Sequence, residues 1–339
     1  MGTASPFEPR RFQHPFMMKL NDTTAAIHIG VDLGGTKIRV EAISDQGASL
    51  ARRQQPTPRH DYSATIEMIA SLVEAVEAAL SLPPCLVGIG MPGSIVPATG
   101  LVQNANSTWL NGKPFSRDLA ARLGRAIRTA NDANCFALSE AVDGAAAGAQ
   151  SVFGVIMGTG VGGGLVINGQ LVEGPRSISG EWGHCSLPFP DEQDIANQAH
   201  CWCGQRGCIE TWLSGPGLLH HHNAAHDLAG KSALERVEEL VILAQEGDRA
   251  ARSSLDKHAR RTAKALALVV NIVDPEVIVL GGGLSQLSHL YQDLPHLMAP
   301  FLFTDDPTPV DIRPPKFGAT SGVRGAARLW PFQRPFQTA

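Results

Sequence analysis

The chain has 339 residues, 43% of them hydrophobic and 18% charged, enough to bury the cores of about two ordinary domains. A formal net charge of −4 argues against a broad basic surface for nucleic acid. The most apolar stretch, Ala263 to Leu280, is broken by Asp274, Pro275 and Glu276, so no membrane partner is expected. Three of the six cysteines crowd into Cys201, Cys203 and Cys208; that is no disulfide framework and suits a reducing, cytoplasmic setting.

Residues 1–25 carry Arg10, Arg11 and several prolines but no apolar run of signal-peptide length. They read as a flexible N-terminal tail, with Met17 or Met18 as an alternative start. The first strand is expected at Ala26 to Val31. A turn at Asp32-Leu33-Gly34-Gly35-Thr36 leads to a second strand from Lys37 to Ile43. Tyr62 to Leu80 has apolar residues at helical spacing (Ile66, Ile69, Leu72, Val73, Val76). A strand at Cys85 to Ile89, a short helix at Phe115 to Gly124, a strand at Ala126 to Ala130 and an Ala-rich helix at Ala133 to Ala147 follow.

The opening pattern then recurs at an offset of 126 residues. Phe153 to Met157 is apolar, Gly158 to Gly164 is the turn, and Leu165 to Ile167 is the next strand, ending in a hairpin turn at Asn168-Gly169. Helices are expected at Ala233 to Gln245 and Asp248 to Ile272, a buried strand at Val277 to Leu280, and a last helix at Val323 to Leu329. Two strand–Gly-turn–strand units opening two halves predict a duplicated α/β architecture.

Several turns can carry chemistry. In Asp32-Leu33-Gly34-Gly35-Thr36-Lys37 the glycines let backbone N–H groups approach phosphate oxygens, Thr36 adds a hydroxyl, and Asp32 can hold Mg²⁺ through its waters. The same residues would also make an ordinary Gly-turn hairpin. Gly158-Thr159-Gly160, followed by Gly162 to Gly164, is a second phosphate-loop candidate, and Gly281-Gly282-Gly283 a third, which a plain tight turn would explain equally well taken alone. Asn131-Asp132-Ala133-Asn134 lies between a strand and a helix. Asp132 either caps that helix or, at a strand end where α/β folds bind ligands, accepts a proton from an attacking hydroxyl. Asn104, Asn106, Ser107 and Asn111 around Trp109 suit a sugar or a plain surface loop.

His184, Cys201, Cys203 and Cys208 form a ligand set for tetrahedral Zn²⁺, with chance grouping of core thiols as the alternative. Four protein ligands leave no open position, so the zinc is structural. Glu181 and Glu210 flank it, and carboxylates so placed can accept hydrogen bonds from a polyhydroxylated ligand. Cys185 is an ambiguous extra thiol. His220, His221 and His222 read as a solvated helix face.

From Ile27 to Trp330 these motifs, together with Gly180-Glu181-Trp182-Gly183-His184 and Cys208-Ile209-Glu210, resemble the ROK sugar kinases. The segments Asn104 to Gly112 and Glu140 to Ala149 look most like bacterial manno(fructo)kinases, whereas the Gly158 to Gly164 loop is closer to N-acetylglucosamine kinases. The resemblance implies an actin-like ATPase (ribonuclease H-like) α/β fold, two lobes around a central cleft. The small N-terminal lobe would comprise residues 26–132 plus about 316–332, and the large lobe with the zinc site residues 133–315. It implies ATP with Mg²⁺, a zinc held by His184 and the three cysteines, and a homodimer. Asn106, Asn131, Asp132, Glu181, His184 and Glu210 would line the sugar site. Asp32 to Lys37 and Gly158 to Gly160 would serve phosphate, and Gly281 to Gly283 the adenosine.

The expected activity is ATP-dependent phosphorylation of a hexose 6-hydroxyl with Asp132 as base. Fructose is the first acceptor and mannose or glucose secondary; the alternative is N-acetylglucosamine or N-acetylmannosamine. A ROK-type repressor would need a DNA-binding helix-turn-helix ahead of the first strand, for which about 25 residues are too few. Retention of Asp132 and both phosphate loops argues against a silent sugar sensor.

Overall fold

The computed structural model describes residues 26–225 and 233–331. The tail expected over residues 1–25 lies outside the described residues. Among those described, no helix is long and apolar enough to cross a membrane.

The chain opens as an antiparallel meander of β1 (Ile27–Leu33), β2 (Lys37–Ser44) and β3 (Ser49–Pro56). Ile29 and Val31 are fully enclosed, as expected of a strand covered on both faces. β3 is an exposed edge carrying Arg52, Arg53, Gln54 and Gln55; with no apolar alternation it leaves no trace in the sequence reading. Helix α1 (Tyr62–Ala79) starts at Asp61, whose side chain accepts the Ala64 N–H, and packs Ile66, Ile69, Val73 and Val76 into the core.

β4 (Leu86–Met91) runs parallel to β1, and a small hairpin of β5 (Ser94–Ile95) and β6 (Val102–Gln103) follows. Helix α2 (Phe115–Leu123) stops at Gly124, in the left-handed region at φ 66°. β7 (Ile127–Asn131) pairs parallel to β4 and passes directly into α3 (Asp132–Val142).

The second half repeats the scheme. β8 (Ser151–Met157), β9 (Val161–Ile167) and β10 (Gln170–Leu171) form a meander. The turn between the last two has both Asn168 and Gly169 at positive φ (51° and 72°), the geometry that favours Asn-Gly. There follow α4 (Glu192–Ala196), α5 (Ile209–Leu213), α6 (Gly215–Ala225), α7 (Val237–Gln245) and the long α8 (Arg249–Val273). β11 (Val277–Gly281) runs parallel to β8, α9 (His289–Met298) leads to β12 (Ile312–Arg313), and α10 (Ser321–Arg328) returns to the first sheet.

The strand orders are β3-β2-β1-β4-β7 and β10-β9-β8-β11-β12, one topology used twice. The duplication expected from the two Gly turns is therefore real, and the fold is the two-lobed actin-like ATPase type. Local differences have local causes. Helix α3 ends at Val142 rather than 147, because the buried Glu140 carboxylate accepts the Ala145 N–H and turns the chain. Helix α9 escapes the sequence reading because Pro295 interrupts it. The His220–His222 run is not a solvated face. His222 is buried with Nδ1 2.9 Å from the Ser254 hydroxyl, and His221 stacks on Trp212 at 4.1 Å; only His220 is exposed.

Helix α10 is held unusually close to its neighbours. A Cβ added at Gly30 in β1 would overlap the Val323 carbonyl oxygen, and one at Gly88 in β4 that of Ala326. On its other side, a Cβ at Gly325 would overlap the Cys135 carbonyl oxygen of α3. Glu140 adds a polar tie, accepting from the Lys316 N–H at 3.0 Å, the Phe317 N–H at 3.4 Å and the Ser321 hydroxyl at 2.6 Å. Gly325→Ala must push two backbones apart. It should destabilise the protein by about 3 kcal/mol, the upper range for overpacking. A urea midpoint equal to wild type would show instead that α3 and α10 separate freely.

Candidate active site

Asp132 stands where β7 becomes α3. The Asn131 side chain caps the helix by accepting the Ala133 N–H at 2.9 Å, and its amide donates to the Gly93 carbonyl. Asp132 Oδ1 also accepts the Ala133 N–H, at 2.8 Å, which fixes the direction of the carboxylate. The group is open to solvent at its surface, yet protein crowds it on the remaining sides. That crowding, then the nearby Asp32 and Glu181 charges, push its pKa up to about 6. The α3 amide works the other way and is outweighed.

Asp32 lies one residue before the end of β1 and is pushed up by burial, against which Arg39 and Lys37 act. Gly322 of α10 faces its carboxylate. The Gly34-Gly35 turn closes with the Gly34 N–H donating to the Lys37 carbonyl at 3.0 Å. Gly35, Thr36 and Lys37 are exposed at its tip, and Ser107 of the Asn104–Asn111 loop lies beside Gly35. Asn106 is exposed next to it. The rest of that loop is structural. Asn111 clamps both the N–H and the carbonyl of Ala105 at 2.9 Å, and Trp109 turns its ring toward α1, donating to the Thr65 hydroxyl. Of the two readings of this segment, sugar contact or plain loop, the engaged Trp109 and Asn111 side chains favour the plain loop.

Glu181 is pushed up by burial and by Glu210, against the pull of His184. Glu210 is the busiest of these carboxylates. Its Oε2 accepts the Val161 N–H at 3.0 Å and its Oε1 the Trp202 indole N–H at 2.7 Å. A Cβ on Gly160 would come within 2.7 Å of the same carboxylate. Sequence reasoning missed Trp202 and Val161, because an indole inside Cys-x-Cys and a backbone N–H in a Gly loop give no signal of their partner. Gly158 in turn abuts Gly283, and its carbonyl accepts the Gly215 N–H at 2.8 Å. Gly282 adopts φ 80°, where a side chain would strike the Met157 carbonyl. A chain of neighbours thus joins Asp32, Asp132, Glu181, His184, Glu210 and Gly160, and a further contact joins Gly158 to Gly283.

The four metal-ligand atoms of His184, Cys201, Cys203 and Cys208 all lie within 4.8 Å of one another. His184 Nδ1 is 3.5 Å from Cys201 Sγ, and Cys203 Sγ is 3.6 Å from Cys208 Sγ. A tetrahedral zinc with Zn–S bonds of about 2.3 Å separates its ligand atoms by roughly 3.5–3.8 Å, so the donor set fits that ion. Gly204 (φ 91°) and Gly207 (φ 68°) allow the loop to curl around it. His184 turns Nδ1 inward, and Trp202 packs edge-on against its ring at 4.9 Å. Cys185 is exposed and outside the set.

A family model described as "ROK family" matches residues 28–333. The chain is 37% identical over 309 residues to an N-acetyl-D-glucosamine kinase of Pasteurella multocida, covering 89% of this chain and 98% of that protein. It is also 37% identical over 308 residues to one of Vibrio cholerae, with 89% and 99% covered. Among solved structures, a ROK hexokinase from Thermus thermophilus superposes with a TM-score of 0.77 at 30% identity, over 89% of this chain and 96% of that one. A ROK glucokinase from Streptomyces griseus, in complex with glucose and AMPPNP, gives 0.71 at 26% identity, over 90% and 99%. None of these proteins is named as a manno(fructo)kinase, the finer expectation from the sequence; the two matched by sequence are N-acetyl-D-glucosamine kinases. Matched over nearly its whole described length, the chain belongs to the ROK family.

Proposed function

We propose that the protein transfers the γ-phosphoryl group of ATP to the 6-hydroxyl of a hexose, with N-acetyl-D-glucosamine as the favoured acceptor. The observation that carries the reading is the placement of Asp132, a carboxylate directed by the Ala133 N–H at a strand end beside the Gly turns and the Glu181–His184–Glu210 group; crowding and the neighbouring acids push its pKa up to about 6. The sugar names of the relatives support the choice of acceptor over fructose. The small lobe is taken as residues 26–132 with about 316–332, and the large lobe as 133–315. A homodimer belongs to the proposal on family likeness alone.

In this reading Asn106, Asn131, Glu181, His184 and Glu210 hold the sugar hydroxyls. Asp132 takes the proton of the 6-hydroxyl while that oxygen bonds to the γ-phosphorus; the bond to the bridging oxygen breaks and ADP leaves. A base with a pKa of about 6 is ionised at neutral pH yet basic enough to accept a proton. Gly34 to Lys37 and Gly158 to Gly160 offer backbone N–H groups to phosphate, and Gly281 to Gly283 face the adenosine. Asp32 would hold Mg²⁺ through its waters, an ion that supplies charge neutralisation at the phosphates. Closure of the lobes would exclude water as a competing acceptor.

Asp132→Asn should lower kcat by roughly 10²–10⁴-fold, the usual range for a lost base. In wild type, kcat/KM should rise with pH through about 6, as the carboxylate of the free enzyme ionises, and the variant should lose that limb. A pKa raised on folding means this group favours the native state below its unfolded value and gives that up as pH rises through about 6. The Asn variant should therefore be no less stable than wild type at pH 8; a large loss of stability there would mean the activity loss is misfolding.

The zinc reading predicts one equivalent of zinc per chain by metal analysis. Cys203→Ala should release it and raise the sugar KM by roughly tenfold or more while moving the ATP KM less, as for lost support of an orienting ligand. Native protein without zinc would end that reading. For the acceptor, kcat/KM for N-acetylglucosamine should exceed that for fructose, mannose and glucose. A clear preference for fructose would restore the first sequence expectation.

A further inference from the structure

Away from the cleft, a cavity of about 300 Å³ opens among α4, α8 and α9, and none of its lining residues belongs to the catalytic group. Lys257, Arg260, Arg261 and Lys264 of α8 line it, at the spacing that puts four residues on one helix face. Its acidic lining residues are Asp191 and Asp194, so two positive charges remain in excess on a chain whose net charge is −4.

The two carboxylates are occupied in building the site. Asp191 and Asp194 cap α4 reciprocally, and Asp194, 2% exposed, accepts from Arg261 Nε at 2.9 Å and from Lys264 Nζ at 3.1 Å. The guanidinium of Arg261 also lies over the Trp212 ring at 4.3 Å. Its Nε and one face are therefore taken, while its two terminal nitrogens make no hydrogen bond among the described residues. Lys257 and Arg260, exposed one turn earlier, have no ion pair there either. A merely solvated helix face needs no buried carboxylate to orient an arginine with its fork left open. Leu297, Pro300 and Phe301 supply an apolar wall opposite.

We propose that this cavity binds a small organic phosphomonoester. Its dianion matches the two excess charges, its oxygens match the pre-oriented Arg261 fork, and its carbon skeleton matches the apolar wall. The assignment does not depend on which sugar the cleft takes.

Isothermal titration of the full chain tests it, with glycerol 3-phosphate and inorganic phosphate as probes. Glycerol 3-phosphate should saturate one site. The double variant Lys257→Glu/Arg260→Glu should weaken it by roughly tenfold or more, because both changes place like charge beside the anion. Arg261→Lys, which keeps the charge but loses the fork, should also weaken it. Both residues of the double variant are exposed, so its thermal unfolding should match wild type. Equal binding of inorganic phosphate would uphold the site and identify free phosphate as its ligand. No saturable binding of either probe up to about 10 mM, a concentration that reveals even millimolar affinity, would overturn the proposal. Binding that the double variant leaves unchanged would overturn it as well.

Discussion

The contact on which the site depends is the crossing of α3 and α10, two helices so close that Gly325 has no room for a methyl group against the Cys135 carbonyl. Both helices begin at the cleft. The first residue of α3 is Asp132, and the first turn of α10 holds Gly322 against the Asp32 carboxylate. Any slide of one helix along the other would change the spacing of the two aspartates. Interdigitating side chains can repack around a shift, whereas touching backbones cannot. Glu140 strengthens the same joint. A fully buried carboxylate without a cation is tolerated only because four donors converge on it, and three of them come from the turn entering α10.

That joint holds together groups that repel one another. Asp32, Asp132 and Glu181 are all pushed up, each first by the protein crowded around it; Asp32 and Glu181 then raise Asp132, and Glu210 raises Glu181. Lys37 and Arg39 oppose this at Asp32, and His184 opposes it at Glu181, but none of these three groups offsets the charge of Asp132 itself. Such an arrangement disfavours the ionised native state, and its persistence calls for a compensating use. A base poised near neutral pH is one such use. The same surplus of acceptor oxygens suits a ligand rich in hydroxyl donors, which can hydrogen-bond to carboxylates without adding charge.

Much of this was readable from the chain because the chemistry sits in short continuous segments. Asp32 to Lys37, Asn131 to Asn134 and Cys201 to Glu210 each declare a local geometry, and the recurring Gly turn announces the duplicated topology. What the sequence hid depends on partners distant along the chain. The strand Ser49–Pro56 is an exposed edge, so it lacks the alternation that betrays half-buried strands. Around Trp109 the sequence left a sugar contact and a plain loop equally open; the indole's partner, Thr65, lies 44 residues earlier. His221 and His222 looked solvated because their covers, Trp212 and Ser254, lie elsewhere in the chain.

Glu210 links the candidate metal cluster to the loop proposed for phosphate. It follows Cys208 by two residues, so a metal that fixes the cysteine loop also fixes where this carboxylate starts. From there one oxygen reaches the Val161 N–H at the end of the Gly158–Gly160 turn, and the other reaches Trp202, whose ring packs against His184. Gly160 must lack a side chain for the carboxylate to pass. The loop proposed for phosphate and the residues proposed for sugar are thus tied through a single side chain. A displacement on either side must therefore be met by the Glu210 carboxylate, which touches both. Under the proposed function the cluster would matter without touching a reacting atom, because it anchors the short segment from which Glu210 reaches both Val161 and Trp202.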